Sequence, residues 1–171
     1  MTAAELISFL HLQPHPKEGG FFRETYRASE NMPASALPAR YPGGRHFSTA
    51  IFYLLTSQTY SALHRLASDE IFHFYLGDPV TMLQLWPDAQ GRTLTLGPDL
   101  LHGQQVQVVV PKGVWQGSFL NPGGSFALLG CTVAPGFDYA DYESGQAEVL
   151  RTQYPDFADL INRLCGGSSM Q

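Results

Sequence analysis

The densest mixture of ionisable and apolar side chains lies in Leu63-His64-Arg65-Leu66-Ala67-Ser68-Asp69-Glu70-Ile71-Phe72-His73-Phe74-Tyr75-Leu76-Gly77. Strand alternation puts His64 on one face with Tyr60, Ala62 and Leu66. It likewise puts Glu70 with Phe72 and Phe74, and turns His73 the other way. With that face inward, an imidazole and a carboxylate stand inside an aromatic cavity, where such groups take shifted pKa values and need partners. Two readings follow from the residues. The pair serves binding or proton-transfer chemistry, or it is a satisfied buried pair that specifies the core. Phe72, Phe74 and Tyr75 are correspondingly a substrate cage or packing.

The elements that must position these groups are short strands. Apolar or alternating runs cover residues 49–55, 60–66, 70–76, 80–86, 93–96, 106–110, 114–120 and 125–133. Gly, Pro, Asn and Asp clusters separate most of them, among them Gly77-Asp78-Pro79, Pro111-Lys112-Gly113 and Asn121-Pro122-Gly123-Gly124. About eight strands with tight turns and no βαβ rhythm predict an all-β fold, a jelly roll or barrel. Residues 2–10 read as a short helix capped by Thr2 with Glu5, ended by Pro14 and Pro16. A β-like run over 21–26 follows Gly19-Gly20. Two short helices are expected over 146–153 and 156–164, the second capped by Asp156 and buried through Phe157, Leu160, Ile161 and Leu164. Residues 1–165 form one domain and 166–171 a frayed tail.

Composition narrows the function. The chain has 171 residues, 44% hydrophobic, 12% aromatic and only 15% charged, which suits one well-buried domain and excludes intrinsic disorder. Ten Lys and Arg stand against fifteen Asp and Glu, for a net charge of −5 without any basic cluster, so nucleic acid is not an expected partner. No apolar run is long enough to span a bilayer, and no signal sequence is visible, so a cytoplasmic location without membrane attachment is expected. Cys131 and Cys165 lack metal-type spacing and read as buried or free thiols. His11, His15, His46 and His102 fall at helix ends or in loops and are expected to be solvated. His73 is expected outside the cavity.

The His64 stretch resembles the first motif of the cupins, with His64, Glu70 and Gly77 at matching positions. Pro111-Lys112-Gly113-Val114-Trp115-Gln116 resembles the second, with Asn121 one residue late and Gly103 two residues too far upstream. Over nearly the whole chain the sequence is similar to the cupin-5 (DUF985) family of uncharacterised cupin-like proteins. Four ordered segments carry that likeness: His15-Pro16-Lys17-Glu18-Gly19-Gly20-Phe21-Phe22-Arg23-Glu24-Thr25-Tyr26-Arg27, Ser68-Asp69-Glu70-Ile71-Phe72-His73-Phe74-Tyr75, Val110-Pro111-Lys112-Gly113-Val114-Trp115-Gln116, and Ala134-Pro135-Gly136-Phe137-Asp138. The resemblance implies a double-stranded β-helix with N-terminal and C-terminal helices, and a homodimer. Metal-binding cupins use three His and one Glu, whereas Leu66 and Gln116 occupy two of those His positions here. No resident cofactor is therefore expected; a divalent ion such as Mn²⁺ would be held weakly by His64, Glu70 and Gln116.

The resemblance also reaches metal-free deoxysugar-nucleotide epimerases, which share the jelly roll and use a barrel His as general base. It implies His64 as base, with Glu70 orienting or charging it. An imidazole near its ordinary pKa of about 6.5 abstracts a proton α to a carbonyl at neutral pH. Tyr53, Tyr60 or Tyr75 would return the proton, and Arg23 or Arg65 would hold an anionic group. Phe72, Phe74 and Gln116 would complete the ligand wall. Three functions stay open: a sugar-type isomerase or epimerase, a non-catalytic protein binding a small polar or sugar-like molecule, and a metal-dependent oxygenase, which Leu66 and Gln116 disfavour. The run Phe21–Arg27 is expected as an edge strand, open to pairing with a second copy.

Overall fold

A computed structural model describes residues 1–166; all but the first position of the expected 166–171 tail lie outside the described residues. Chain order begins with α1 (Ala3–Phe9), β1 (Gln13–Pro14), β2 (Phe21–Arg27), β3 (Asn31–Met32) and β4 (Arg45–His46). The main strands follow: β5 (Thr49–Thr56), β6 (Tyr60–Leu66), β7 (Asp69–Gly77), β8 (Val80–Leu85), β9 (Gly91–Leu96), β10 (Gln107–Val110), β11 (Trp115–Leu120) and β12 (Phe126–Ala134). The chain closes with β13 (Tyr142–Ser144), α2 (Ala147–Gln153) and α3 (Ala158–Leu164).

Two antiparallel sheets carry the architecture, in the orders β1-β2-β5-β12-β7-β10 and β13-β6-β11-β8-β9. Alternation along each strand sends one set of side chains between the sheets. There Tyr53, Leu55, Phe72, Met82, Val108 and Leu129 pack with Cys131 into the main core. The outer face of the five-stranded sheet is covered by α2 and α3 through Leu63, Leu83, Trp115, Leu150, Ile161 and Leu164. Helix α1 covers part of the other sheet, seating Leu6 and Leu12 on Leu54 and Leu128. The sheets form a jelly-roll sandwich and do not close into a barrel.

Helix α1 starts as expected: Thr2 accepts from the Glu5 N–H and the Glu5 carboxylate accepts from the Thr2 N–H at 2.7 Å. Helix α3 departs from expectation, since Phe157 rather than Asp156 is its N-cap and no side chain caps it. Pro155 opens a short 3₁₀ turn over Pro155–Phe157, which displaces the helix start. Past Phe22, strand β2 has no partner on its outer side, so the expected edge is present.

One buried ion pair ties the β13 segment to the sandwich. Arg45 donates through Nε to Asp141 Oδ2 at 2.7 Å and through NH1 to the carbonyls of Gly43 and Gly44. Both side chains are almost wholly buried. Removing one partner strands the other charge away from water. Asp141→Ala should therefore lower the unfolding free energy by about 3–5 kcal/mol in denaturant titration; a loss below about 1 kcal/mol, the level of a surface pair, would refute this anchoring role.

Candidate functional site

Strand β6 is not regular. Gln116 pairs with His64 and Ser118 with Ser61, so Ala62 and Leu63 of β6 face Gly117 alone on β11. The bulge reverses the alternation between its two ends. His64 faces the interior, Leu63 packs under the C-terminal helices, and Tyr60 joins that outer cluster. Tyr60 is thus not a cavity residue. The expectation failed because unbroken alternation was carried through a bulge.

His64 is buried, and its Nδ1 lies 2.7 Å from the Ala62 carbonyl. A carbonyl only accepts, so Nδ1 carries the proton and Nε2 presents a lone pair. That nitrogen is 3.7 Å from Glu18 Oε1. On the facing strand β7, Glu70 is buried and its Oε2 accepts a 2.5 Å hydrogen bond from Gln116 Nε2. Gln116 Oε1 is left buried with no donor.

Glu18 and His15 complete the cluster. The turn His15-Pro16-Lys17-Glu18 dips into the sandwich because two glycines follow it. Gly19 and Gly20 adopt φ of +85° and +69°, and a Cβ there would lie 2.5 Å from the Tyr60 carbonyl oxygen and 2.8 Å from that of Leu54. Backbone bonds hold the turn: Ala62 N–H donates to the Glu18 carbonyl at 2.7 Å, and Tyr53 Oη donates to the Gly19 carbonyl at 2.8 Å. His15 is buried, not solvated as expected, and its Nδ1 accepts from the Glu18 N–H at 2.9 Å. Its proton is therefore on Nε2, which points at Glu18 Oε1 from 3.7 Å. One carboxylate oxygen thus lies between a donor nitrogen and an acceptor nitrogen.

His15, Glu18 and Glu70 line a cavity of about 240 Å³ together with Cys131, Phe137 and Tyr139, with Glu24 and Arg27 on its β2 wall; His64 and Gln116 are not in that lining, and His64 meets it through Glu18. The volume is below the roughly 300–1,000 Å³ of a drug-sized pocket. Tyr142 stacks on His64 at 5.0 Å between centroids.

The other expected site residues sit elsewhere. Tyr53, Phe72 and Phe74 are packing in or against the main core. Tyr75 is half exposed on the opposite face of β7, stacked on His73 and edge-on to Phe52. Alternation from Glu70 puts it there, so it cannot return a proton into the cavity. Arg23 lies over the Phe52 ring, and Arg65 pairs with Glu143 at 2.7 Å over Trp115. Neither lines the cavity. His73 lies outside it, as expected, and Cys131 and Cys165 are free thiols. His46 is half-buried, with Nδ1 donating to the Ala28 carbonyl at 2.7 Å, whereas His11 and His102 are solvated as expected, His102 with Asp99 as a partner.

Burial dominates the electrostatics. It raises the Glu18 carboxyl to about 8. It raises Glu70 to about 7, helped by the Glu18 charge and opposed by His64, Gln116 and Cys131. Burial, reinforced by His64, lowers His15 to about 4. Burial also lowers His64, against the opposing pull of Glu70. At neutral pH both imidazoles are neutral and Glu18 holds a proton. Among the described residues no three His, Cys, Asp or Glu side chains are grouped to hold a metal ion. The donor set at His64, Glu70 and Gln116 does not fit a transition metal, since it offers one imidazole, one carboxylate and one neutral amide.

The linked stability has a definite sign. The folded state holds extra protons on Glu18 and Glu70 between pH 4.5 and about 8, so these groups favour folding less as pH rises through that window. The two imidazoles act oppositely, losing stability as pH falls below 6.5. Above pH 6.5 only the carboxyl effect remains. Denaturant titrations should show stability falling from about pH 6.5 to about pH 8.5. Glu18→Gln should flatten that slope and gain on the order of 2 kcal/mol at the upper end. An unchanged slope would place Glu18 in water.

Comparison with known proteins agrees with this geometry. The family described as "Cupin superfamily (DUF985)" matches residues 4–145. An uncharacterised protein of Saccharomyces cerevisiae is 33% identical over 165 residues, covering 90% of this chain and 81% of its own. A hypothetical protein from Leishmania major superposes with a TM-score of 0.85 at 30% identity, over 96% of this chain and 98% of that one. A Shewanella oneidensis protein does so at 0.82 and 36%, over 96% and 97%. Bacillus subtilis oxalate decarboxylase shares the fold alone, at 12% identity and a TM-score of 0.52, over 94% of this chain and 39% of that one. The shared jelly roll and a match spanning most of the length make this chain a member of the cupin superfamily, in its DUF985 family.

Proposed function

We propose that the cavity binds a small polar or sugar-like molecule and moves a proton on it, in isomerase or epimerase chemistry. The observation that carries this reading is the unprotonated Nε2 of His64, set 3.7 Å from Glu18, which lines a small hollow together with Glu70, both carboxyls having a raised pKa. His64 Nε2 takes the proton from a carbon next to a carbonyl. Glu18, protonated at neutral pH, is the acid that returns one, in the place first given to a tyrosine. Glu70 orients the ligand and offsets the imidazolium formed in the transition state. His15 turns its Nε2–H toward Glu18 from 3.7 Å.

A divalent ion at His64, Glu70 and Gln116 would be weakly held, and oxygenase chemistry has little support from a donor set short of two imidazoles. A non-catalytic binding protein needs the same cavity but no proton transfer. We further propose a homodimer in which the open stretch of β2 from Arg23 to Arg27, with half-exposed Tyr26, pairs with a second copy. No helix among the described residues is long and apolar enough to cross a membrane.

Monosaccharides incubated with the protein in D₂O should gain deuterium α to the carbonyl, read by proton NMR. His64→Gln, close in size and lacking the basic nitrogen, should lower that exchange at least about 100-fold. A ligand that raises Tm but returns without deuterium would support simple binding instead. Sedimentation equilibrium should give twice the 18.8 kDa chain mass; a monomer would refute the edge pairing.

A further inference from the structure

The polar groups of the cavity are unequally divided between acceptors and donors. Glu18, Glu70 and Glu24 bring carboxyls to the lining, against the guanidinium of Arg27 and the Nε2–H of His15; behind it, among the described residues, Gln116 Oε1 is buried with no donor. Among the described residues no side chain donates a hydrogen bond to Glu18; its nearest polar neighbours are the two imidazoles at 3.7 Å. Arg27 is the sole guanidinium on the described cavity wall, and Glu24 already holds it through bonds of 2.9 Å and 2.6 Å. Asp138 adds another carboxylate to the lining. A guest bearing a carboxylate or phosphate would meet these carboxyls with no unpaired guanidinium in the described lining to receive it.

The rim displays the complementary interaction. Lys17 Nζ lies 5.2 Å from the Tyr139 ring centroid and 5.3 Å from that of Tyr142, within the roughly 6 Å reach of a cation–π contact. Tyr139 lines the cavity and Tyr142 covers His64. An ammonium group is therefore already accommodated where a ligand would enter.

We propose that the cavity selects a hydroxyl-bearing primary ammonium of monosaccharide size, an amino sugar or amino alcohol, with its N–H groups donating to Glu18 and Glu70. This rests on the small-polar-ligand reading above and narrows its class. An ammonium supplies three donors and a positive charge to a lining whose one guanidinium, Arg27, is already held by Glu24. The guest's hydroxyls suit a remaining acceptor of the lining, the Asp138 carboxylate. Burial raises the pKa of both carboxyls, and an arriving cation lowers it again.

Glucosamine, glucose and glucuronate share a ring and differ chiefly in charge. Each is titrated calorimetrically into the full chain at about pH 7 with EDTA present. Glucosamine should bind at least about tenfold more tightly than glucose, and glucuronate should give no heat of binding. Glu18→Gln should bring glucosamine to within about threefold of glucose. Glucose binding as tightly as glucosamine, or glucuronate binding best, would overturn the ammonium preference while leaving the small-polar-ligand reading intact. Glucosamine binding only with added Mn²⁺ would overturn it also. Silence from all three sugars would remove both readings.

Discussion

The Glu18 carboxyl, held between two imidazoles inside a β-sandwich, is the constraint around which the cavity is organised. An ionised carboxylate in that position would lack both water and a cation, so the group keeps its proton to about pH 8. The backbone turn that delivers it depends on Gly19 and Gly20, where any Cβ would strike a carbonyl of the neighbouring strands. Position and protonation therefore have one origin. The turn is tight enough to bury the side chain, and burial sets the charge.

Around that carboxyl the hydrogen-bond pattern assigns every proton. The Ala62 carbonyl fixes the His64 proton on Nδ1, and the backbone N–H of Glu18 fixes that of His15 on Nε2. Two residues of one type thus become opposite tools, a base and a donor, on either side of Glu18. Glu70 stays anchored by Gln116. Much of the pattern is made by main-chain atoms, which a side-chain substitution leaves in place.

Much of this was legible in the residues. The Gly/Pro punctuation marked the eight main strands, because turns need positive φ or a fixed φ that few residues provide. His64 and Glu70 stood out because ionisable groups in an apolar strand must have partners. What escaped was set by features without a local signature. The bulge in β6 moved Tyr60 to the outer cluster, and nothing in Tyr60-Ser61-Ala62-Leu63 marks the extra residue. His15 and Glu18 sit in a polar, Pro-flanked stretch that reads as solvated loop; their burial comes from strands that pack over them from 35 or more positions away. Gly19-Gly20 was the available signal, since two adjacent glycines after a charged residue mark a close backbone approach. The short β13, which brings Tyr142 over His64, has no periodicity to read at three residues.

The relation to oxalate decarboxylase shows how far a fold constrains chemistry. At 12% identity the two share a jelly roll, and function must be argued from the side chains that point into it. Here the strand positions that face inward hold Leu66 and Gln116 where metal-binding cupins place imidazoles. Leu66 is buried and apolar, and Gln116 spends its amide proton on Glu70. Restoring a metal site would therefore require more than two substitutions to His. Gln116→His would also remove the donor that holds Glu70, and Glu18 would still lie 3.7 Å from His64 Nε2, where it competes for an incoming cation. The shortage of imidazoles makes this hollow a poor transition-metal site, and its carboxyls are the groups that the proposed donor-rich guest would use.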